Sequence, residues 1–543
     1  MGISPDNLEL NQIFGYLKKL EARIERLEAY FNLGPAGEAP EIELPPPSSA
    51  KAEESEDRLE LQIGENWLAK TGIVVLAAGI AFLLALPYKN LPPILPGILG
   101  YCLAAGIFAL SHYWRKSFSL ISRYLHGGGM ALMYFATLRL YFFSAEKAVT
   151  KRSLEIVLLM IIVFANFYIS GRRKSIYLAG LSLAMGYTTA IVSDQAYFLF
   201  AAAALMSALV VYFKLKYGWQ RLLIFGIVLT YFTHFLWFLN NPFLGKNLQF
   251  VSSPETNLLF VLLYVLIFAA GNFVRDKSLP ESNMVIITTF LNCAGGYSLF
   301  LLISVIKFPE HIAMYHLLAA LVFLGLAIAY WSREKSKFST FFYAMTGYSA
   351  LSVAIIARFS EPESLVWLGW QSLLVISTAV WFRSKFIIVA NFIIYLLIFL
   401  VYLILAKTVT PISLSFGVVA LMSARILNWQ KDRLELKTEL MRNAYLAAAF
   451  FMFPYTLYHI VPAGYVSLSW LGVGIIYYIL SRVLNNRKYR WMALFTLLLT
   501  VGHVLLIDAT RLDPALRVIS FLVVGAALVV ISIFYSRSRL KSP

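Results

Sequence analysis

The sequence predicts an all-α polytopic integral membrane protein of about eighteen transmembrane helices arranged as helical hairpins, with an N-terminal coiled-coil helix in the cytoplasm. Three observations predict it. Of 543 residues, 59% are apolar and only 14% charged, whereas a water-soluble domain keeps about a quarter of its residues charged. Mean hydropathy is +0.71. Beyond residue 65, apolar runs of about twenty residues, the length that crosses ~30 Å of hydrocarbon, follow one another with only short loops between them.

Residues 1–33 read as an amphipathic helix. Leu10, Ile13, Leu17, Leu20, Ile24 and Leu27 alternate at spacings of three and four, and charged residues fill the other faces, the a/d seam of a coiled coil. Three heptads are marginal alone. The seam serves either self-association or a protein partner, or else lies on the chain's own membrane domain. Residues 34–65 form a linker rich in Pro and Glu, which cannot bury enough apolar surface to order itself. No basic n-region precedes an apolar stretch here, so no cleavable signal peptide is expected.

Residues 66–543 form the membrane domain, so the lipid bilayer is its first partner. The expected spans are 67–88, 94–114, 123–143, 153–170, 176–193, 195–213, 219–240, 256–274, 282–305, 310–331, 338–357, 363–382, 384–406, 410–428, 440–460, 463–481, 490–508 and 516–536. Charge tests this topology. Residues 1–65 carry 6 Lys/Arg and 14 Asp/Glu, the remainder 40 and 15. Past residue 70, the loops and tail on the side of the N-terminus hold 28 Lys/Arg and the opposite loops hold 10. The positive-inside rule then puts both termini in the cytoplasm. Basic residues in short inter-span loops orient helices, so no nucleic-acid partner is expected.

A repeat runs through the same loops. Helix, basic loop, helix recurs about every 45–50 residues, at Arg172-Arg173-Lys174, Arg333-Glu334-Lys335, Arg383-Ser384-Lys385 and Arg487-Lys488-Tyr489-Arg490 among others. Duplicated hairpins would leave this pattern, as would any hairpin that turns at a basic interface.

Three segments carry a resemblance. They are Ile63-Gly64-Glu65-Asn66-Trp67-Leu68-Ala69-Lys70-Thr71-Gly72-Ile73, then Leu125-His126-Gly127-Gly128-Gly129-Met130-Ala131-Leu132-Met133-Tyr134, and last Leu506-Ile507-Asp508 with Arg517-Val518-Ile519-Ser520-Phe521, Gly525 and Tyr535. In order and spacing the chain resembles a bacterial family of predicted multi-pass membrane proteins catalogued as domain of unknown function 2339. The resemblance implies architecture and a bacterial inner membrane; it carries no catalytic role.

Enzyme signatures are sparse. There is no G-x-x-x-x-G-K-[ST], H-E-x-x-H or G-x-S-x-G, so no phosphate loop, zinc site or nucleophile elbow is expected. Cys102 and Cys293 stand alone in apolar runs, and no two histidines share a helix face at i, i+3 or i, i+4; no metal or cofactor is expected. The polar residues inside spans remain. Arg139 lies about 21 Å along its helix from Leu125, where it either snorkels, pairs with an acid such as Glu146, or binds an anionic group. Arg139, His234, His503, Asp508 and Arg517 together would make an outward polar cavity for an anionic head group. His126-Gly127-Gly128-Gly129 reads as a helix start that either packs closely or offers backbone N–H groups to an anion. The amides Asn166, Asn272, Asn292, Gln371 and Asn391 read as interhelical glue. Three functions fit: transport or flipping of an anionic envelope or lipid-linked precursor, a scaffold acting through the coiled coil, and a membrane-embedded transferase. A non-enzyme is favoured.

Overall fold

The chain divides into two compact units, Met1–Leu76 and Ala77–Pro543. The structure, a computed structural model, describes residues 94–142, 147–273, 282–406, 408–430 and 438–540 and the single positions Lys18, Leu20, Ala22, Arg23, Val75, Gly79 and Pro92. In the first unit Leu20 of the expected seam is helical and exposed. Leu10, Ile13, Leu17, Ile24 and Leu27, the linker and nearly all of span 67–88 lie outside the described residues.

Among the described residues the second unit has seventeen helices of sixteen residues or more and no strand. They are α1 (Leu95–Tyr113), α2 (Ser119–Arg139), α3 (Arg152–Arg172), α4 (Ile176–Ser193), α5 (Ala196–Tyr217) and α6 (Gln220–Phe238). Next come α7 (Asn257–Asn272), α8 (Asn283–Lys307), α9 (Ile312–Ala329), α10 (Lys337–Arg358), α11 (Glu363–Trp381) and α12 (Lys385–Leu405). The last are α13 (Leu414–Trp429), α14 (Glu439–Ile460), α15 (Val466–Val483), α16 (Arg487–His503) and α17 (Pro514–Leu540). Each falls on an expected span from 94–114 onward. Fourteen are long and apolar enough to cross a membrane. Of the others, α7 is shorter, and α2 and α14 carry more polar residues.

Their surfaces are apolar outside and mixed inside. On α12, Ile393, Leu397, Leu400 and Ile404 are exposed, while Asn391, Tyr395 and Tyr402 are buried. On α3, Val157, Ile161 and Phe164 face out and Asn166 and Ser170 face in. A water-soluble helix does the reverse. Lipid is the solvent that makes this arrangement favourable, because hydrocarbon cannot satisfy a polar group.

Sequential helices pack as antiparallel pairs from α1 with α2 to α15 with α16, all turning on one face. That basic face repeats a turn. Lys174, Lys335, Arg383 and Asn485 adopt φ of 49, 51, 51 and 44°, and each is followed by a capping residue: Ser175, Ser336, Ser384 and Asn486. In three of the four, the cap's own N–H reaches back five residues, as from Ser175 to Ser170, Ser384 to Ala379 and Asn486 to Ser481. This is the Schellman closure of the preceding helix. The recurring basic loops thus share a backbone geometry as well as a composition. Beside them, Arg172, Lys216, Lys335 and Arg482 sit 5.3, 5.2, 5.4 and 5.4 Å from the rings of Tyr168, Tyr212, Trp331 and Tyr478. An aromatic four residues before a cation marks the interfacial belt.

The opposite face is pinned by Asp194. Its carboxylate lies 2.5 Å from Lys246 Nζ and 4.0 Å from Arg152, and accepts from Asn241 Nδ2 at 3.0 Å, so it ties α3 and α4 to the loop after α6. Burial alone would raise the Asp194 pKa; the hydrogen bonds from Lys246 and Asn241 and the charges of Lys246 and Arg152 outweigh it and hold the carboxyl below its ordinary value. A depressed carboxylate stabilises the fold above the unfolded pKa, and that contribution disappears as pH falls through the folded one. Lys246→Met should therefore lower the thermal midpoint by a constant amount above about pH 5, the difference shrinking below about pH 4. A difference undiminished at about pH 2.5 would remove Asp194 as its source.

The interior is held by tyrosine hydroxyls and amides. Tyr134 bonds Thr189 at 2.8 Å, Tyr395 donates to the Phe416 carbonyl at 2.8 Å, and Tyr187 bonds Thr230. All five expected amides bond a neighbouring helix: Asn166 to Met185, Asn272 to Thr288, Asn292 to Tyr343, Gln371 to the Tyr348 carbonyl and Asn391 to the Ser372 carbonyl.

Candidate functional site

Residues five apart on an α-helix point roughly 140° away from each other. His503 and Asp508 escape this because α16 continues as a π-helical turn, Val504–Asp508. Its wider i→i+5 closure brings the fifth residue back over the first. His503 Nδ1 consequently lies 3.1 Å from Asp508 Oδ1. Both side chains are buried, at 6% and 1% exposure.

A third residue completes the group. Ser467, in the first turn of α15, donates to Asp508 Oδ2 at 2.6 Å and lies 2.8 Å from His503 Nδ1. With its own proton directed to the carboxylate, Ser467 Oγ accepts from Nδ1 when that nitrogen carries the proton, and Asp508 Oδ1 lies within reach of the same nitrogen. The chain therefore runs from imidazole to hydroxyl to carboxylate, and His503 Nε2 is left buried without a hydrogen-bond partner. Trp470, one turn along α15, lays its ring 5.1 Å from the imidazole, and Tyr458 of α14 approaches edge-on at 6.1 Å. Trp470 is fixed in turn by its Nε1–H bond to the Pro454 carbonyl at 3.1 Å.

In the serine-hydrolase arrangement Ser and Asp bond opposite imidazole nitrogens, so that the ring can take the nucleophile's proton. Here both share Nδ1, and the hydroxyl already donates to Asp508. The geometry suits a proton relay ending on a buried carboxylate and does not activate Ser467 for attack.

The other candidates lie elsewhere. Arg517, near the start of α17, donates to the Leu512 carbonyl at 3.0 Å and so closes the turn between the last two helices. His234 of α6 is fully buried in an aromatic box, stacked on Phe200 at 4.6 Å with Trp237 and Tyr264 at its edges. Arg139 is buried at the last residue of α2, and Glu146 lies outside the described residues. The helix α2 packs chiefly on α1, α3 and α4; α6 packs on α4, α5, α7 and α8; and α16 packs on α14 and α15. Arg139 and His234 therefore occupy helix neighbourhoods apart from α16, whereas α17, which carries Arg517, packs on the π turn after α16; His503 and Asp508 are brought into direct contact.

The glycine run is corrected in register. The helix begins at Ser119, so His126, Gly127, Gly128 and Gly129 lie in its interior, where their N–H groups bond within the helix. Close packing explains it: a Cβ on Gly129 would stand 2.9 Å from the Phe108 ring, and one on Gly127 3.4 Å from Leu178.

Two buried residues carry no sequence signal strong enough to find them. Ser467 is an ordinary small residue in an apolar run. Glu155, in the first turn of α3, reads as interfacial, yet it is 0% exposed and neither carboxyl oxygen has a hydrogen-bond partner. A second π turn, Tyr330–Glu334, follows α9 and also ends on a buried carboxylate.

A family model described as a predicted membrane protein (DUF2339) matches residues 64–459 and 407–538. No curated protein matches, and no solved structure matches.

Proposed function

The chain belongs to the DUF2339 family of predicted membrane proteins, and we propose that it moves an anionic envelope or lipid-linked precursor across the bilayer, using the Ser467–His503–Asp508 relay as its ionisable centre. The observation that carries this reading is the buried carboxylate, linked to Ser467 and His503 at the end of a spanning helix, with Nε2 of the imidazole buried and without a hydrogen-bond partner. Ionisable groups held inside a membrane domain are expensive and typically mark substrate or proton pathways. A π turn that aligns two of them adds to the argument, since such turns are frequent at functional sites.

The same reading has eighteen spans, the first at 67–88, in a bacterial inner membrane with both termini in the cytoplasm. The excess of basic residues on one face and the aromatic–cation pairs beside them support that orientation. The coiled coil at residues 1–33 would cluster protomers or bind a protein partner. The transferase alternative finds less support, because Ser467 and Asp508 share one imidazole nitrogen. A scaffold remains the rival class.

Mass spectrometry of lipids that copurify with the full-length protein tests this. The wild type should retain a defined anionic lipid or precursor that His503→Gln loses. Identical bulk lipids in both proteins would overturn the relay reading. If function then depended on residues 1–60 alone, the scaffold would replace it.

A further inference from the structure

On the basic face, a cleft of about 470 Å³ opens between the starts of α10 and α12. One tripeptide builds both sides. Ser336-Lys337-Phe338 opens α10 and Ser384-Lys385-Phe386 opens α12. Each serine caps its own helix, by accepting from Ser339 N and Ile387 N, and each is preceded by a cation at φ 51°. The shared turn thus delivers a lysine and a phenylalanine to the cleft twice, and Arg383 of the second turn adds a third cation. None of the lining residues is acidic.

The cleft has two chemistries. Lys337, Arg383 and Lys385 give it positive charge, and the positive dipole ends of the two helices reinforce that charge. Phe338 and Phe386 are 46% and 76% exposed, an apolar lip beside the cations. Further in, Thr340 is 1% exposed and its hydroxyl has no hydrogen-bond partner, so a buried donor waits on the cleft wall.

We propose that this cleft binds an anionic phospholipid of the leaflet on the basic face, its phosphate among Lys337, Arg383 and Lys385 and its acyl chain along the phenylalanines. Basic pockets between spanning helices are suited to anionic head groups. The lip decides the source of the phosphate: a free phosphate ester gains nothing from Phe338 and Phe386, whereas a lipid tail covers them. The site is separate from the His503 relay and does not depend on it.

Native mass spectrometry of the full-length protein released from nanodiscs of equal parts phosphatidylglycerol and phosphatidylcholine tests the proposal. The wild type should retain phosphatidylglycerol preferentially. The triple variant Lys337→Gln, Arg383→Gln, Lys385→Gln should lower that preference about tenfold or more. The same change at another basic turn, Arg172→Gln, Arg173→Gln, Lys174→Gln, should leave it intact. Glycerol phosphate in the buffer should not displace the lipid. Unchanged preference in the cleft variant, an equal loss in the control variant, or displacement by glycerol phosphate would each overturn the proposal. Should the triple variant fail to fold, Lys385→Gln alone decides, with a preference equal to wild type counting against the site.

Discussion

Asp508→Leu should be among the most destabilising single changes in the membrane domain, lowering stability by about 3–5 kcal/mol, while Asp508→Asn should leave it within about 1 kcal/mol of wild type. The leucine removes the acceptor of Ser467, 2.6 Å away, and the neighbour of His503 Nδ1 at 3.1 Å. It leaves both polar groups in a site where neither water nor lipid can replace it. The asparagine keeps a carbonyl oxygen for Ser467, offers an amide N–H to His503 Nδ1 in place of the second carboxylate oxygen, and removes the capacity to take a proton. Unfolding in mixed micelles separates the two variants by stability, and copurified lipid separates them by function. A stable Asp508→Asn protein that has lost its bound precursor is the signature of a relay. If it binds and behaves as wild type does, the cluster is a structural lock and the ionisable centre must be sought elsewhere, with Glu155 the next buried carboxylate to test.

The helices were legible because lipid imposes a single demand, an apolar run of sufficient length, and the loops between them are too short to confuse it. The site was half legible. His503 and Asp508 stand out because both are ionisable in an apolar run, but their facing each other depends on a π turn, and nothing in Val504-Leu505-Leu506-Ile507 announces one. Ser467 lies 36 residues from His503 and looks like any small residue of a packed helix. His234 is the opposite case, since an imidazole can be buried against aromatic faces, as it is on Phe200. A span beginning at residue 123 puts the glycine run near a helix start, but residues 119–123 are helical as well. The hydroxyl network of Tyr134, Tyr187, Tyr231 and Tyr395 gave no warning in the sequence, while the amides, rarer in apolar runs, did.

Asn292→Ala is expected to lower stability by about 2–4 kcal/mol, and Asn166→Ala by no more than about 0.6 kcal/mol. Both amides are buried in the middle of the bundle, so burial does not separate them; their partners do. Asn292 accepts from the Tyr231 hydroxyl at 2.7 Å and donates to the Val265 carbonyl at 3.0 Å and to Tyr343 at 3.1 Å, which joins α8 to α6, α7 and α10 at one atom group. Asn166 reaches only the Met185 sulfur, at 3.4 Å, a weak acceptor. Individual interhelical hydrogen bonds in membranes average well under 1 kcal/mol, because helices separated within the membrane also find partners. Asn292 exceeds that average by making three such bonds at once. Gly295 and Gly296 let Tyr231 and Val265 approach so near that a Cβ at these positions would stand 2.7 and 2.5 Å from them, and the tyrosine has no room to turn toward a new acceptor. Tyr343 is likewise held, stacked on Tyr330 at 5.2 Å. Equal losses for the two alanine variants would mean that packing, not this hydrogen-bonded node, holds the centre of the bundle. A large loss at Asn292 alone would identify the junction of α6, α7, α8 and α10 as a hydrogen-bonded node that packing by itself does not replace.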